Sequence, residues 1–249
     1  MEKAVAIIPA RYGSTRFPGK PLALINGLPM IQQVYQRVIA ANSVARAIVA
    51  TDDERIVRAV ESFGGEVMLT RADHPTGTDR LAEIAGKIDA DLIVNVQGDE
   101  PLIDPRMIDQ AVAPLVENPV IRMGTVASQI EEVDDFYNPN VVKVVLDQSG
   151  FALYFSRAPI PWPRDLNKDQ LFDSLPQLGL LRHIGLYVYR RELLLNYPFW
   201  PKTPLESLES LEQLRALELG VKLHVAVSEF SCHGVDTPAD LERISRLMS

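Results

Sequence analysis

Residues Ala4–Ile8 form an unbroken apolar run that stops at Pro9. A short continuous run of this kind, ended by a breaker, predicts a strand buried on both faces. After the Asn26-Gly27 turn, Pro29 suits a first helical position. Met30, Ile31, Val34, Tyr35, Val38 and Ile39 then fall on one helical face. A second buried strand is predicted at Ala47–Thr51, with Asp52 as the cap of a helix carrying Ile56, Val57, Val60 and Phe63 and ended by Gly64 and Gly65. A strand near Glu66–Leu69, a helix near Thr78–Ile88, the apolar run Leu92–Val96 and a helix opened by Asp104-Pro105 follow. Strands alternating with helices at this spacing predict βαβ units. The expected class is α/β, a mainly parallel Rossmann-like sheet with helices on both faces.

The pattern changes after about Val120. Arg122–Gln129, Val141–Leu146 and Phe151–Phe155 read as strands, the last two joined through "DQSG" as a hairpin. The proline-rich "RAPIPWPRDL" and the strand "HIGLYVY" come next, and α/β alternation then returns. Its elements are a helix over Leu205–Leu219 closed by Gly220, a strand over Val221–Val227, and a last helix whose capping box is Thr237-Pro238-Ala239-Asp240. The expected organisation is one domain over residues 1–249 with a β-rich insertion at about 121–200.

Composition narrows the function classes. Of 249 residues, 47% are hydrophobic and 23% charged, as in an ordinary globular protein. No apolar run approaches the roughly 20 residues of a membrane span. The chain reaches "RYGSTR" too soon for a signal peptide, so a cytoplasmic location is expected. The single cysteine, Cys232, excludes an intrachain disulfide framework and a multi-cysteine zinc site. A net charge of -8 argues against a general nucleic-acid binder. Against that acidic background, a cluster of cations is informative.

Such a cluster follows the first strand. Arg11, Arg16 and Lys20 stand on a loop punctuated by Gly13 and Gly19. Glycines let backbone N–H groups approach oxygens, and cations neutralise them, so the loop is suited to phosphate. It is not a P-loop, because Pro21 stands where Ser or Thr should follow the lysine, and G-x-G-x-x-G is absent too. The alternative is a surface turn with solvated cations. Its place beyond the first strand of an α/β sheet favours ligand binding.

The stretch "IPARYGSTRFPGKPL" resembles the signature loop of the CTP-dependent nucleotidyltransferases that activate acidic sugars. In order, "QGDEP", "NPNVVKVVLD", "YFSR", "HIGLY", "LEQLR" and "GVDTP" resemble further motifs of the branch acting on the eight-carbon acid 3-deoxy-manno-octulosonate (Kdo). The resemblance runs from Val5 to Leu241. It implies a nucleotide-diphospho-sugar transferase type of fold, transfer of CMP from CTP to Kdo for lipopolysaccharide biosynthesis, a Mg2+ cofactor and a homodimer.

The resemblance also assigns residues. Arg11, Ser14, Arg16 and Lys20 are expected at the nucleotide, with Lys20 and Arg16 catalytic. Asp99 and Asp236 are expected as magnesium ligands, although an aspartate before Thr-Pro is by itself ordinary turn chemistry. Thr76, Thr78 and Arg80 of "HPTGTDR" are expected to help hold cytosine and ribose; the residues alone read as a helix cap at Thr78 and a solvated arginine. Gln97, Arg157, His183, Tyr187 and Glu212 are expected to contact the sugar acid, with His183 and Tyr187 sharing a strand face. Glu100 is left out, because adjacent residues point apart. No side chain stands out as a general base, and a metal-bound sugar hydroxylate is the expected nucleophile. Two rivals remain: a GT-A-type glycosyltransferase, whose usual D-x-D motif "QGDEP" is not, and a non-catalytic nucleotide-binding regulator. A close Kdo analogue, such as the 8-amino sugar, is an alternative substrate.

Overall fold

The computed structural model describes residues 4–13, 17–232, 234–235 and 237–248. Its main strands are β1 Ala4–Pro9, β2 Val44–Thr51, β3 Glu66–Leu69, β4 Leu92–Asn95, β5 Met123–Gln129, β6 Lys143–Leu146, β7 Ala152–Ser156, β8 Leu181–Arg190 and β9 Leu223–Ser228. They form one sheet in the order β9-β5-β8-β4-β1-β2-β3, with β6 paired to β8 and β7 to β6. Neighbours along that order are parallel, except that β8 runs antiparallel to β4 and β5. The class is the α/β, mainly parallel one that the hydrophobic pattern predicts.

Alternation along β1 explains the layering. Ala4, Ala6 and Ile8 pack in one core with α1 (Met30–Ile39), α2 (Glu54–Ser62) and α4 (Pro105–Glu117). Val5 and Ile7 pack in the opposite core with α3 (Gly77–Lys87) and with the later helices α7 (Arg191–Asn196) and α9 (Gln213–Glu218). A strand covered on both faces needs apolar side chains at every position, which is why the run is continuous.

Residues 121–200 contribute β5 and β8 to this same sheet, and the β6–β7 hairpin extends from β8. Helices α5 (Val133–Tyr137) and α6 (Lys168–Leu178) enclose a small core of their own around Phe136, Leu171 and Leu175. No described helix is long and apolar enough to cross a membrane.

Three local expectations are corrected. Asp53, not Asp52, caps α2 by accepting from the Arg55 backbone N–H. Thr76, not Thr78, caps α3 in a reciprocal box with Asp79. The helix expected over Leu205–Leu219 is two helices, α8 (Pro204–Glu209) and α9, separated by Ser210 at φ 52°. A buried, two-pronged Glu206–Arg215 ion pair (2.7 and 2.5 Å) ties the two halves together across the break. The last helix, α10 (Pro238–Leu247), carries the expected Thr237–Asp240 box.

Candidate active site

The cation loop leaves β1 at Pro9 and returns through Gly19, whose φ of 72° is left-handed and whose N–H donates to the Tyr12 carbonyl at 2.9 Å. The return brings Lys20 Nζ to 2.5 Å from Asp99 Oδ2 and 2.9 Å from the Val235 carbonyl. Asp99 is delivered by Gly98, where an added Cβ would lie 2.9 Å from the Pro9 carbonyl oxygen. Only glycine lets the two strand exits approach so closely. The Val235 N–H donates to the Asp99 carbonyl at 2.9 Å, and Thr237 begins the cap of α10. Ser14, Arg16 and Asp236 lie outside the described residues.

Arg11, Lys20, Thr76, Arg80, Gln97 and Asp99 line one cavity of about 240 Å³. The structure thus gathers the described part of the expected nucleotide set, except Thr78, in one place. Arg80 is not solvated: only 4% exposed, it reaches Thr70 and lies 3.4 Å from Asp52. The Thr76 hydroxyl donates to Asp79 Oδ2 at 2.6 Å.

A second cavity, of about 550 Å³, is lined by Thr78, Gln97, Arg157, His183, Tyr187 and Glu212, together with Gly77. Gln97 and Gly77 line both cavities, so the two adjoin there. The expected sugar residues come from distant parts of the chain to this one space.

Two residues four apart on a regular strand lie roughly 13 Å apart at about 3.3 Å per residue. The His183 and Tyr187 rings are instead 5.4 Å apart. The reason is a bulge in β8, where Gly185 and Leu186 are left over between the pairs Ile184↔Val126 and Tyr187↔Thr125. The Thr125 hydroxyl has one proton and donates it to the Leu186 carbonyl at 2.7 Å. His183 Nε2, at 2.8 Å, is therefore the N–H donor to Thr125. Burial pulls the His183 pKa down to about 3, so the ring is neutral at ordinary pH.

Arg157 lines the cavity with its guanidinium engaged: Nε meets the Glu209 carbonyl at 2.6 Å, one terminal nitrogen the Pro139 carbonyl at 3.0 Å, and the other that of Ser210 at 3.3 Å. It thereby fixes the bend between α8 and α9. Glu212 stands just after that bend, with its backbone carbonyl held by the Tyr197 hydroxyl at 2.8 Å. Burial raises the Glu212 carboxyl pKa, against a lowering hydrogen bond from Thr78.

Several wall residues escape sequence reasoning. Glu100 does line the larger cavity, accepting from the buried Cys232 thiol at 2.7 Å. The turn Gln97–Glu100 is not extended, since the Glu100 N–H donates to the Gln97 carbonyl, so the alternation rule does not apply. Arg182 lines the cavity and donates to the Cys232 carbonyl at 2.7 Å. Gln213 is 4% exposed at the wall, with its amide nitrogen buried and unpartnered. The motif "LEQLR" contains Gln213, and that was the one available signal. Among the described residues, no three His, Cys, Asp or Glu side chains converge as a metal cage.

Comparison with known proteins bears on this geometry. The cytidylyltransferase family model matches residues 5–223. The chain belongs to the cytidylyltransferase family. A 3-deoxy-manno-octulosonate cytidylyltransferase of Syntrophotalea carbinolica is 59% identical over 239 residues, 96% of each chain. One from Trichlorobacter lovleyi is 57% identical over 98% of each chain. Among solved structures, CMP:2-keto-3-deoxy-manno-octonic acid synthetase complexed with CTP superposes with a TM-score of 0.92 at 44% identity, covering 99% of this chain and 98% of that one. A 4-diphosphocytidyl-2C-methyl-D-erythritol synthase from Anaerococcus prevotii, at 14% identity and a TM-score of 0.64, shares the cytidylyltransferase fold alone.

Proposed function

We propose that this cytidylyltransferase transfers CMP from CTP to 3-deoxy-manno-octulosonate, releasing pyrophosphate. The observation that carries the reading is the pair of adjoining cavities. One offers Arg11 and Lys20 beside Asp99, and the other is lined by hydroxyl-binding side chains. Support also comes from the full-length relatives bearing that name. The anomeric hydroxyl of the sugar attacks the α-phosphorus in line, and the bond to the β-phosphate oxygen breaks. Catalysis is then positioning plus stabilisation of charge on the phosphoryl and leaving oxygens.

Arg11, Arg16 and Lys20 meet the triphosphate. Lys20 now neutralises Asp99, so it exchanges a carboxylate for phosphate oxygens as the nucleotide enters. Asp99 and Asp236 are the residues that would hold magnesium. One or two carboxylates, completed by substrate phosphates, is the usual donor set for that ion, and the Asp99 carboxylate, partly exposed at the nucleotide cavity, suits it. When bound, magnesium supplies charge neutralisation at the phosphate oxygens.

In the larger cavity, Gln97, His183, Tyr187 and Glu212 take the sugar hydroxyls, while Arg157 and Arg182 supply the positive field its carboxylate needs. The protein works as a homodimer in the cytoplasm. The test is pyrophosphate release with CTP, UTP or ATP crossed with Kdo, its 8-amino analogue and sialic acid. Release confined to CTP with Kdo is expected. Equal turnover of sialic acid overturns the sugar assignment, and absence of pyrophosphate with every pair points to a regulator.

A further inference from the structure

An attack by a sugar hydroxyl on phosphorus needs an acceptor for the hydroxyl proton, and none of the roles above provides one. We propose that Glu212 is that general base, an inference that rests on the cytidylyl-transfer reading. It goes beyond holding sugar hydroxyls, because it assigns the carboxylate a bond-making role.

Place is the first argument. The attacking oxygen and the α-phosphorus must meet where the sugar cavity joins the nucleotide cavity, the boundary marked by Gly77 and Gln97. Glu212 lines the sugar side, and its Oε1 lies 3.5 Å from the Thr76 hydroxyl on the nucleotide side. That hydroxyl is already committed to Asp79, so it leaves the Glu212 oxygen available. The position is held rigidly: the Tyr197 hydroxyl fixes the Glu212 carbonyl, and Arg157 fixes the bend just before it.

Surroundings are the second argument. From α3, Thr78 hydrogen-bonds the carboxylate and Asp79 repels it. From α8 and α9, Glu206 repels and Arg215 attracts, but Arg215 is spent on a two-pronged bond to Glu206. From β8 and the turn after α7, Tyr187, Tyr189 and Tyr197 face it as phenols that burial keeps protonated. Charges of both signs thus face it, and burial is the largest influence, making the carboxylate a stronger proton acceptor than an exposed glutamate. The other groups at the junction are less suited. His183 titrates at about 3 and its Nε2 serves Thr125. Asp99 is paired with Lys20, and Glu100 with Cys232.

The step balances. The O–H bond of the anomeric hydroxyl breaks and its proton passes to Glu212. The oxygen forms its bond to the α-phosphorus, and pyrophosphate departs with the electron pair of the bond it loses. Glu212 returns the proton to solvent before the next turnover.

The experiment is a kcat–pH profile of the wild type and Glu212→Gln with CTP and Kdo, together with the KM for the sugar. General-base loss is expected to lower kcat by about 100- to 10,000-fold. The acidic limb of the wild-type profile should lie above the ordinary glutamate range and vanish in the variant, with sugar KM changed only a few-fold. Glu212→Gln should melt at or above the wild-type temperature at pH 8, because it removes a buried charge, and this establishes that it folds. If it does not fold, Glu212→Ala with added formate decides: recovery of kcat supports the base and no recovery overturns it. Glu212→Gln keeping kcat within about tenfold with the limb intact, and raising only sugar KM, overturns the proposal and leaves a hydroxyl contact. Failure of the wild type to release pyrophosphate from CTP and Kdo would instead sink the underlying reading.

Discussion

Lys20 and Asp99 cancel each other's charge at 2.5 Å across two strand exits, with both side chains partly exposed to the cavity between them. Removing one partner frees the other, so the two substitutions have different signatures. Lys20→Ala is expected to lower kcat/KM for CTP by about tenfold to a hundredfold, the worth of a charge-assisted hydrogen bond. Arg16→Ala should behave alike. Asp99→Asn keeps the shape but loses the charge that a divalent cation requires, so turnover should nearly vanish. Asp236→Asn should match it, the double variant should be little worse than either single one, and added magnesium should rescue the singles only partly. Steady-state kinetics over a magnesium series checks all of this. Unchanged CTP kinetics in Lys20→Ala and Arg16→Ala would return the loop to a plain surface turn. The residue types of this site were legible in the sequence because strand, glycine and cation fall in one short stretch. The partnership of Lys20 with Asp99 was not, because 79 positions separate them.

Among the elements, the broken helix α8–α9 matters most to the site. Continuous apolar periodicity over Leu205–Leu219 hides the break, since Leu205 of α8 packs in the same core as Leu214, Ala216 and Leu217 of α9. What interrupts them is tertiary: Ser210 adopts φ 52° while Arg157 grips the Glu209 and Ser210 carbonyls. A residue with a Cβ is strained at positive φ, by roughly 1 kcal/mol or more. Ser210→Gly is therefore expected to melt a few degrees above the wild type with activity kept. Ser210→Pro cannot reach that φ and should lose sugar turnover through displacement of Glu212, while CTP binding persists. Thermal melts and separate KM values for the two substrates check the pair. Equal melting temperatures and kinetics in all three proteins would show that the bend does not position Glu212. The β8 bulge is similar: "HIGLY" reads as a plain strand, yet Gly185 and Leu186 step out of register and bring His183 against Tyr187.

At the scale of the whole molecule, an acidic chain of net charge -8 places Arg11, Lys20 and Arg80 around one cavity, which suits an anionic nucleotide. Its surface also carries exposed apolar side chains around the hairpin, with Leu153 62% and Trp162 65% exposed. Those side chains support the expected homodimer. Light scattering should give a dimer mass at working concentration, and Leu153→Glu with Trp162→Glu should shift it to a monomer. A monomer mass for the wild type removes the assembly.

The sequence alone determined the layered α/β class, because a strand buried on two faces and a helix buried on one need different hydrophobic periods. It also showed a glycine-punctuated cluster of cations just after the first strand, since that pattern lies within one short stretch of chain. Only the tertiary structure decided which side chains meet. The Thr76–Glu212 approach joins two cavities across 136 positions, and Glu100 turns inward where local alternation would turn it away. The physical reason is that burial and electrostatic balance belong to a place in space. His183 is neutral, and Glu212 a stronger base than its type, because of what packs around them and not because of their neighbours in the chain.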